Sequence, residues 1–278
     1  MTGRIVLAGT PIGNLADASA RLCEALASAD VVAAEDTRRT LDLARGLGVT
    51  IRGRLVALHD HNERSRAAAL VEDALGGALV LLVSDAGMPT VSDPGFRVVE
   101  EAAAAGVSVT VLPGPSAVLA ALAVSGLPTD RFAFEGFLPR KGGERARALA
   151  ALVHEERTLV FFEAPHRLAE SLADMVVAFG PDRAASVSRE LTKAFEETRR
   201  GPLSQLADWA AAGVKGEIVV CVTGATPAAL SLHAAVAEAV ARVQAGERAK
   251  EVSADLAPLA GVSARELYAA IVAAKERP

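Results

Sequence analysis

The strongest constraint in this chain is a strict alternation. Over the first 125 residues, short aliphatic runs at 4–9, 31–34, 55–58, 78–83 and 107–112 take turns with stretches of helical spacing. The helical stretches are 18–28, 38–47, 63–75, 96–105 and a last one ending at Ser125. Strands that are apolar on both faces must be covered on both faces, and strand–helix–strand order makes neighbouring strands parallel. Residues 1–125 therefore predict an α/β domain built on a parallel sheet.

After a linker at 126–130 the pattern changes. Short strands are expected at 132–134, 157–162, 183–187 and 217–222, with helices at 142–154, 165–179 and 202–212. Pro165 would sit in the first turn of its helix, where a missing N–H costs nothing. This predicts a second α/β domain with a mixed sheet, spanning 126–228. Residues 229–278 carry no strand signal and read as a helical tail. Within the tail, Ser263 and Glu266 have capping-box spacing after a Gly261-Val262 turn. Short helix, Gly turn, short helix resembles a helix-turn-helix. A helical tail packed on the body or on a partner subunit has the same pattern.

Several chemistries lack their residues. There is no P-loop, no Gly-x-Gly-x-x-Gly after the first strand, no His-Glu-x-x-His and no Gly-x-Ser-x-Gly. The five histidines do not cluster at metal spacing, and His59 and His61, which flank Asp60, read as strand-end residues, so no metal is expected. The apolar runs fall far short of the roughly 18–20 residues that span a bilayer, so no membrane association is expected. No targeting-type segment precedes residue 4, and Cys23 and Cys221 form no Cys-x-x-Cys pair, which suggests the reducing cytoplasm.

What remains is three Gly/Pro-rich or polar loops, at 9–14, 84–95 and 113–116, each directly after a predicted parallel strand. Ligands of open α/β sheets bind beyond the carboxyl ends of the strands. Such loops can simply turn the chain, but three on one sheet edge, with Asp85 and Asp93 in the longest, favour a ligand. Ser116 is an expected N-cap of the following helix, and Asp36 an expected N-cap of the helix after the second strand. Two basic clusters lie further on: Arg140, Lys141, Arg145 and Arg147, interrupted by Gly142-Gly143 as in a mobile loop, and Arg189, Lys193, Arg199 and Arg200. A charge run is usually a solvated face; a basic loop also suits a phosphate backbone.

Seven segments carry a family resemblance. They are Thr10-Pro11-Ile12-Gly13-Asn14-Leu15, Ala34-Glu35-Asp36-Thr37-Arg38, Ser84-Asp85-Ala86-Gly87-Met88-Pro89 with Ser92-Asp93-Pro94-Gly95, and Pro113-Gly114-Pro115-Ser116-Ala117. The others are Gly136-Phe137-Leu138-Pro139-Arg140-Lys141, Phe162-Glu163-Ala164-Pro165-His166-Arg167 and Arg189-Glu190-Leu191-Thr192-Lys193. Over about residues 4–223 the chain resembles the tetrapyrrole-methylase-like (class III) S-adenosylmethionine methyltransferases, in the branch acting on ribosomal small-subunit RNA. The tail is similar but less diagnostic. Where tetrapyrrole methylases read Gly-Asp-Pro, this chain reads Ser84-Asp85-Ala86-Gly87.

The resemblance implies two α/β domains with S-adenosylmethionine in the cleft between them, and a homodimer. It also implies 2′-O-methylation of a cytidine ribose in the decoding region of 16S rRNA within the small ribosomal subunit. By analogy, Ile12, Asp85, Gly87, Met88, Ser116, Ala117 and Phe162 would line the donor pocket. Candidate bases for the ribose hydroxyl are Lys193, Asp36, Glu190 and Glu163. Arg38, Arg140, Lys141 and Arg189 would hold phosphates or orient the nucleotide. Phe132, Phe134 and Phe137 would serve the second core, although Phe137, beside the basic loop, could stack on a base. Two other readings stay open: a methylase of a tetrapyrrole or other small acceptor, which needs no extended cationic surface, and a non-catalytic ribosome-binding protein. The net charge of −5 argues against an extended basic coat. The acidic excess lies mainly in residues 1–120, which leaves room for a local cationic patch further along.

Overall fold

A computed structural model describes residues 3–59, 61–226 and 230–275. They divide into two compact units, one of residues 3–153 and 157–223, the other of 154–156 with the described residues from 224 onward.

The first unit opens with β1 (Arg4–Ala8), α1 (Ala20–Ser28), β2 (Val31–Ala34), α2 (Thr37–Gly46) and β3 (Arg54–Ala57). It continues with α3 (Glu63–Leu75), β4 (Leu79–Val83), α4 (Phe96–Ala104), β5 (Ser108–Leu112) and α5 (Ala117–Ser125). The five strands form one parallel sheet in the order β3-β2-β4-β1-β5. Both faces are covered, as the unbroken apolar runs require. Ile5, Leu7, Val80 and Leu82 face α3 and α4, while Val6, Ala8, Leu81 and Val83 pack with Leu22 and Leu26 of α1.

The second sheet uses β6 (Phe132–Phe137), β7 (Thr158–Glu163), β8 (Ala184–Arg189), β9 (Glu197–Pro202) and β10 (Ile218–Val222). Its order is β6-β7-β10-β8-β9, parallel at β6–β7 and antiparallel elsewhere. One face carries α6 (Gly142–Ala151), α7 (Leu168–Phe179) and α8 (Leu203–Ala211), around Phe161, Leu168, Leu172 and Leu206. The other face receives α5. Its Val118, Ala121 and Leu122 pack on Val160, Val219 and Cys221, joined by Ile12 and Leu191. One helix thus leaves the edge of the first sheet and buries itself against the second.

Four expectations need correction. The strand expected at 132–134 runs on to Phe137 through a bulge between Phe134 and Gly136. Pro165 precedes its helix instead of entering it, because a turn closed by Arg167 N–H to Ala164 O comes first and α7 starts at Leu168. Gly142-Gly143 is the first turn of α6 and not a mobile basic loop. Arg145, read as part of that loop, is only 1% exposed and pairs with Glu170 (2.7 Å) and Asp174 (2.6 Å) of α7. Finally, Arg199 and Arg200 lie on β9, an edge strand whose Glu-Thr-Arg-Arg-Gly-Pro sequence gives no apolar signal.

The second unit holds α9 (Leu232–Gln244), α10 (Ala249–Leu256) and α11 (Ala264–Lys275) around Ala235, Ala239, Val252, Leu256, Leu267 and Ile271. The capping box is present: Glu266 N–H donates to Ser263 Oγ (3.2 Å) and Ser263 N–H to Glu266 Oε2 (2.8 Å).

The loops after β1 and β5 meet backbone to backbone. A Cβ on Gly114 would lie 2.8 Å from the Gly9 main chain, and one on Gly9 would lie 2.7 Å from Gly114 Cα and from Met88 Sδ. Gly114→Ala should therefore destabilise the fold by about 1–3 kcal/mol, the usual cost of overpacking. Urea unfolding checks this, with a lower midpoint expected at unchanged slope.

Candidate active site

The three loops singled out in the sequence follow β1, β4 and β5, which are adjacent in the first sheet. Thr10 and Gly87 form a two-way backbone bridge (2.9 and 3.1 Å), and Thr10 Oγ1 donates to Ser84 O (3.3 Å). Ser84 Oγ donates to Gly87 O (3.2 Å), tightening the second loop on itself. Glu63 of α3 accepts from the backbone N–H groups of Gly95 and Arg97 (2.8 Å each), which anchors the far end of that loop to α4. Ser116 caps α5, accepting from Leu119 N–H at 3.5 Å.

These loops wall a cavity of about 440 Å³ closed on the other side by the second sheet. That volume is within the usual range for small-ligand sites. All seven residues read as donor contacts line it: Ile12, Asp85, Gly87, Met88, Ser116, Ala117 and Phe162. Glu163 lines it as well. Phe137, the candidate for base stacking, lines it too, and lining residues that the sequence reading did not assign include Arg39, Pro165 and Glu217. The ionisable lining side chains are Glu35, Asp85, Asp93, Glu163 and Glu217 against the single cation Arg39. Such a lining attracts a positively charged ligand. Asp85 is held from two sides, accepting from Asp36 N–H (3.0 Å) and lying 3.3 Å from Arg39 Nη1.

The other candidates fall outside the cavity wall. Asp36 caps α2, accepting from Arg38 N–H (2.8 Å), and that bond, with the nearby Arg38 and Arg39 charges, holds its pKa low. Lys193 donates to Glu190 (3.0 Å) and to Glu217 (2.9 Å). Burial alone would lower its pKa, but the bonds to Glu217 and Glu190 outweigh burial and raise it. Lys193 is therefore an ammonium in this arrangement, not a ready base. Glu190 is pushed down by Glu217 N–H and by Lys193. Glu163 Oε1 accepts from Ala164 N–H (2.8 Å), and its Oε2 from Ser171 Oγ (2.5 Å). Arg38, Arg140 and Lys141 are exposed, Lys141 pairing with Glu144 (3.2 Å), whereas Arg189 is half-buried and paired with Glu197 (2.7 Å).

Two glycines permit the Lys193 arrangement. A Cβ on Gly13 would lie 2.4 Å from Lys193 Cγ, and Gly216, at φ +98°, packs on the stem of Glu190. Among the described residues, the non-glycine positions with left-handed φ are Thr90, Ser92, Glu190 and Thr192. They fall on two loops beside the cavity, and such conformations cost on the order of 1–3 kcal/mol each. Concentrated strain of this kind marks functional loops more often than packing loops.

His59 and His61 stand with ring centroids 6.0 Å apart, and Asp60 lies outside the described residues. Among the described residues no group of three or more His, Cys, Asp or Glu side chains could hold a metal ion.

A cavity past the carboxyl ends of a parallel sheet, closed by a second mixed sheet, defines the class. Residues 4–207 match the model of the Tetrapyrrole (Corrin/Porphyrin) Methylases, and the chain belongs to that family. Within it, the chain is 53% identical to Ribosomal RNA small subunit methyltransferase I of Mycobacterium tuberculosis (strain CDC 1551 / Oshkosh), covering 98% of this chain and 95% of that protein. The protein of the same name from Escherichia coli O157:H7 is 42% identical, over 96% of this chain and 93% of its own length. Two solved structures show the same fold. Diphthine synthase has a TM-score of 0.58 at 17% identity, covering 79% of this chain and 89% of that chain. Uroporphyrin-III C-methyltransferase from Thermus thermophilus, complexed with S-adenyl homocysteine, has 0.53 at 22%, covering 79% and 97%.

The depressed pKa of Glu190 gives a signed test. Its contribution to stability is present above the unfolded value of about 4.3 and is lost as pH falls through the folded value. Glu190→Gln should unfold at lower urea than the wild type at pH 7, and the gap should close in acid. A gap that persists unchanged in acid would detach Glu190 from the Lys193 cluster.

Proposed function

We propose that this chain is an S-adenosylmethionine-dependent methyltransferase that methylates the 2′-oxygen of a cytidine ribose in the decoding region of 16S rRNA, within the small ribosomal subunit. A cytoplasmic homodimer is part of the same reading. Among the described residues no helix is long and apolar enough to cross a membrane, which is compatible with it. The observation that carries the proposal is the acid-lined cavity formed by the family's own loop motifs. Whole-length similarity to the ribosomal RNA small subunit methyltransferases supports the acceptor.

The residues present fit this donor. Ile12, Ala117 and Phe162 offer apolar wall for a flat heterocycle, while Asp85 and the neighbouring carboxylates suit a cation. When bound, S-adenosylmethionine supplies a methyl group carried on positively charged sulfur. The chain's own work is placement. Ile12, Asp85, Gly87, Met88, Ser116, Ala117 and Phe162 would fix the donor, and holding an acceptor hydroxyl beside it supplies much of the rate of a displacement.

The acceptor hydroxyl must also shed a proton. Lys193, whose ammonium is held by Glu190 and Glu217, keeps its third N–H to donate to that oxygen. Asp36 and Glu190 are the remaining candidate carboxylates; their lowered pKa values keep them ionised and make them weak bases. Glu163, with both oxygens engaged by Ala164 and Ser171, holds the 162–165 segment in place. The exposed Arg38, Arg140 and Lys141 would meet phosphates, positioning the RNA without reading its sequence. Arg189, already committed to Glu197, would act through β8 and β9.

The test is transfer of labelled methyl from S-adenosylmethionine to undermethylated small subunits, followed by mapping of ribose methylation. Label is expected at a cytidine 2′-oxygen in the decoding region. Label entering a tetrapyrrole but not rRNA would overturn the assignment.

A further inference from the structure

The bulge in β6 decides which way Phe137 points. Phe134 pairs with Val160, Gly136 with Phe161 and Phe137 with Phe162. Alternate residues of a strand share a face, so Val160 and Phe162 point the same way. Without the extra residue, Gly136 would stand opposite Phe162, and Phe137 would fall on the other face beside Glu163. The inserted residue, with Gly136 at φ +66°, brings Phe137 round to the face of Phe162. The rings confirm it: Phe137 and Phe162 are 5.5 Å apart at 58°, and Phe134 and Phe162 are 4.9 Å apart at 67°.

The aromatic pair is then pinned from behind. Arg167 Nη2 donates to Leu138 O (2.8 Å) and Pro139 O (3.0 Å), the two carbonyls after Phe137. Its Nε lies 3.5 Å from Glu163 Oε1, next to Phe162. Arg167 and Glu163 are both largely buried, so this clamp ties the two strands' ends together in the interior. Yet the ring it fixes is 57% exposed at the cavity rim. The exposed cations Arg140 and Lys141 follow at once on the same loop. A chain with 4% aromatic residues has re-aimed one of them at open space beside its cavity.

We infer that Phe137 is the surface on which the acceptor nucleobase stacks, and that Arg167 is the positioning residue holding it there. This rests on the rRNA reading above. Proteins that recognise single-stranded RNA splay its unstacked bases out and stack them on aromatic side chains. Phe137 offers such a side chain from the cavity wall, while Arg140 and Lys141 lie where the flanking phosphates would pass.

Steady-state methylation of small subunits tests this, alongside calorimetric donor affinity. Phe137→Ala should raise the KM for subunits by roughly ten- to a hundredfold, as loss of one stacked base does, with donor affinity preserved. Phe137→Tyr should restore KM and Phe137→Leu should not, since leucine keeps the packing but has no π face. Arg167→Gln should reproduce the Phe137→Ala effect. Equal KM values for the Tyr and Leu variants at equal thermal midpoints would overturn the inference. So would a donor affinity that falls in step with the KM, because the ring would then serve the donor. Wild-type protein that transfers no label to subunits overturns the functional reading and this inference with it. Wild-type transfer with unchanged KM in Phe137→Ala overturns the inference alone.

Discussion

Everything in the site depends on α5 bridging two sheets. The helix begins at the edge of a parallel sheet, with Ser116 as its cap, and ends with its apolar side on the face of a mixed sheet. Val118, Ala121 and Leu122 are all but fully buried there. At about 25 cal/mol per Å² of apolar surface removed from water, side chains of this kind contribute roughly 1.5–3 kcal/mol each when fully buried. Arg200 also donates to Val124 O near the helix's far end. With both sheets joined through this helix, the loops after β1, β4 and β5 face β7 and β10 across a gap, and that gap is the cavity.

The cavity's chemistry follows from which loops surround it. Backbone contact between Gly9 and Gly114 brings two loops together without side chains between them. Asp85 is presented by a third loop whose own hydrogen bonds and left-handed residues leave it few alternatives. Opposing carboxylates on the lining favour a cation, while the Lys193 ammonium is kept at the edge by two acids that neutralise it. Glu217 belongs to both sets, lining the cavity and accepting from Lys193 (2.9 Å).

Much of this was legible in the sequence because burial on both faces writes itself as unbroken apolar runs. Val31–Ala34 and Leu79–Val83 stand close to where their runs predict them. The ends of Ser116 and Asp36 as helix caps were legible from residue type alone. Other features depend on partners distant in sequence. Arg145 looks like a surface cation until Glu170 and Asp174 of another helix enclose it. β9 is an edge strand, so its polar residues carry no burial pattern and read as a basic cluster. The protonated state of Lys193 depends on Glu217, more than twenty residues away. For Phe137 the sequence leaves two places open, the second core or a base-stacking surface, and a single inserted residue puts it on the cavity side. The signal for that was Gly136, since a lone glycine inside a strand often marks a bulge.

The central claim is that the three loops form the donor site with Asp85 at its centre. Calorimetric titration of S-adenosylmethionine into the wild type and Asp85→Ala tests it most directly. The account predicts one site per chain in the wild type and at least about a tenfold loss of affinity in the variant, the scale of a lost hydrogen bond to a charged group. Equal affinities in two equally folded proteins would contradict it.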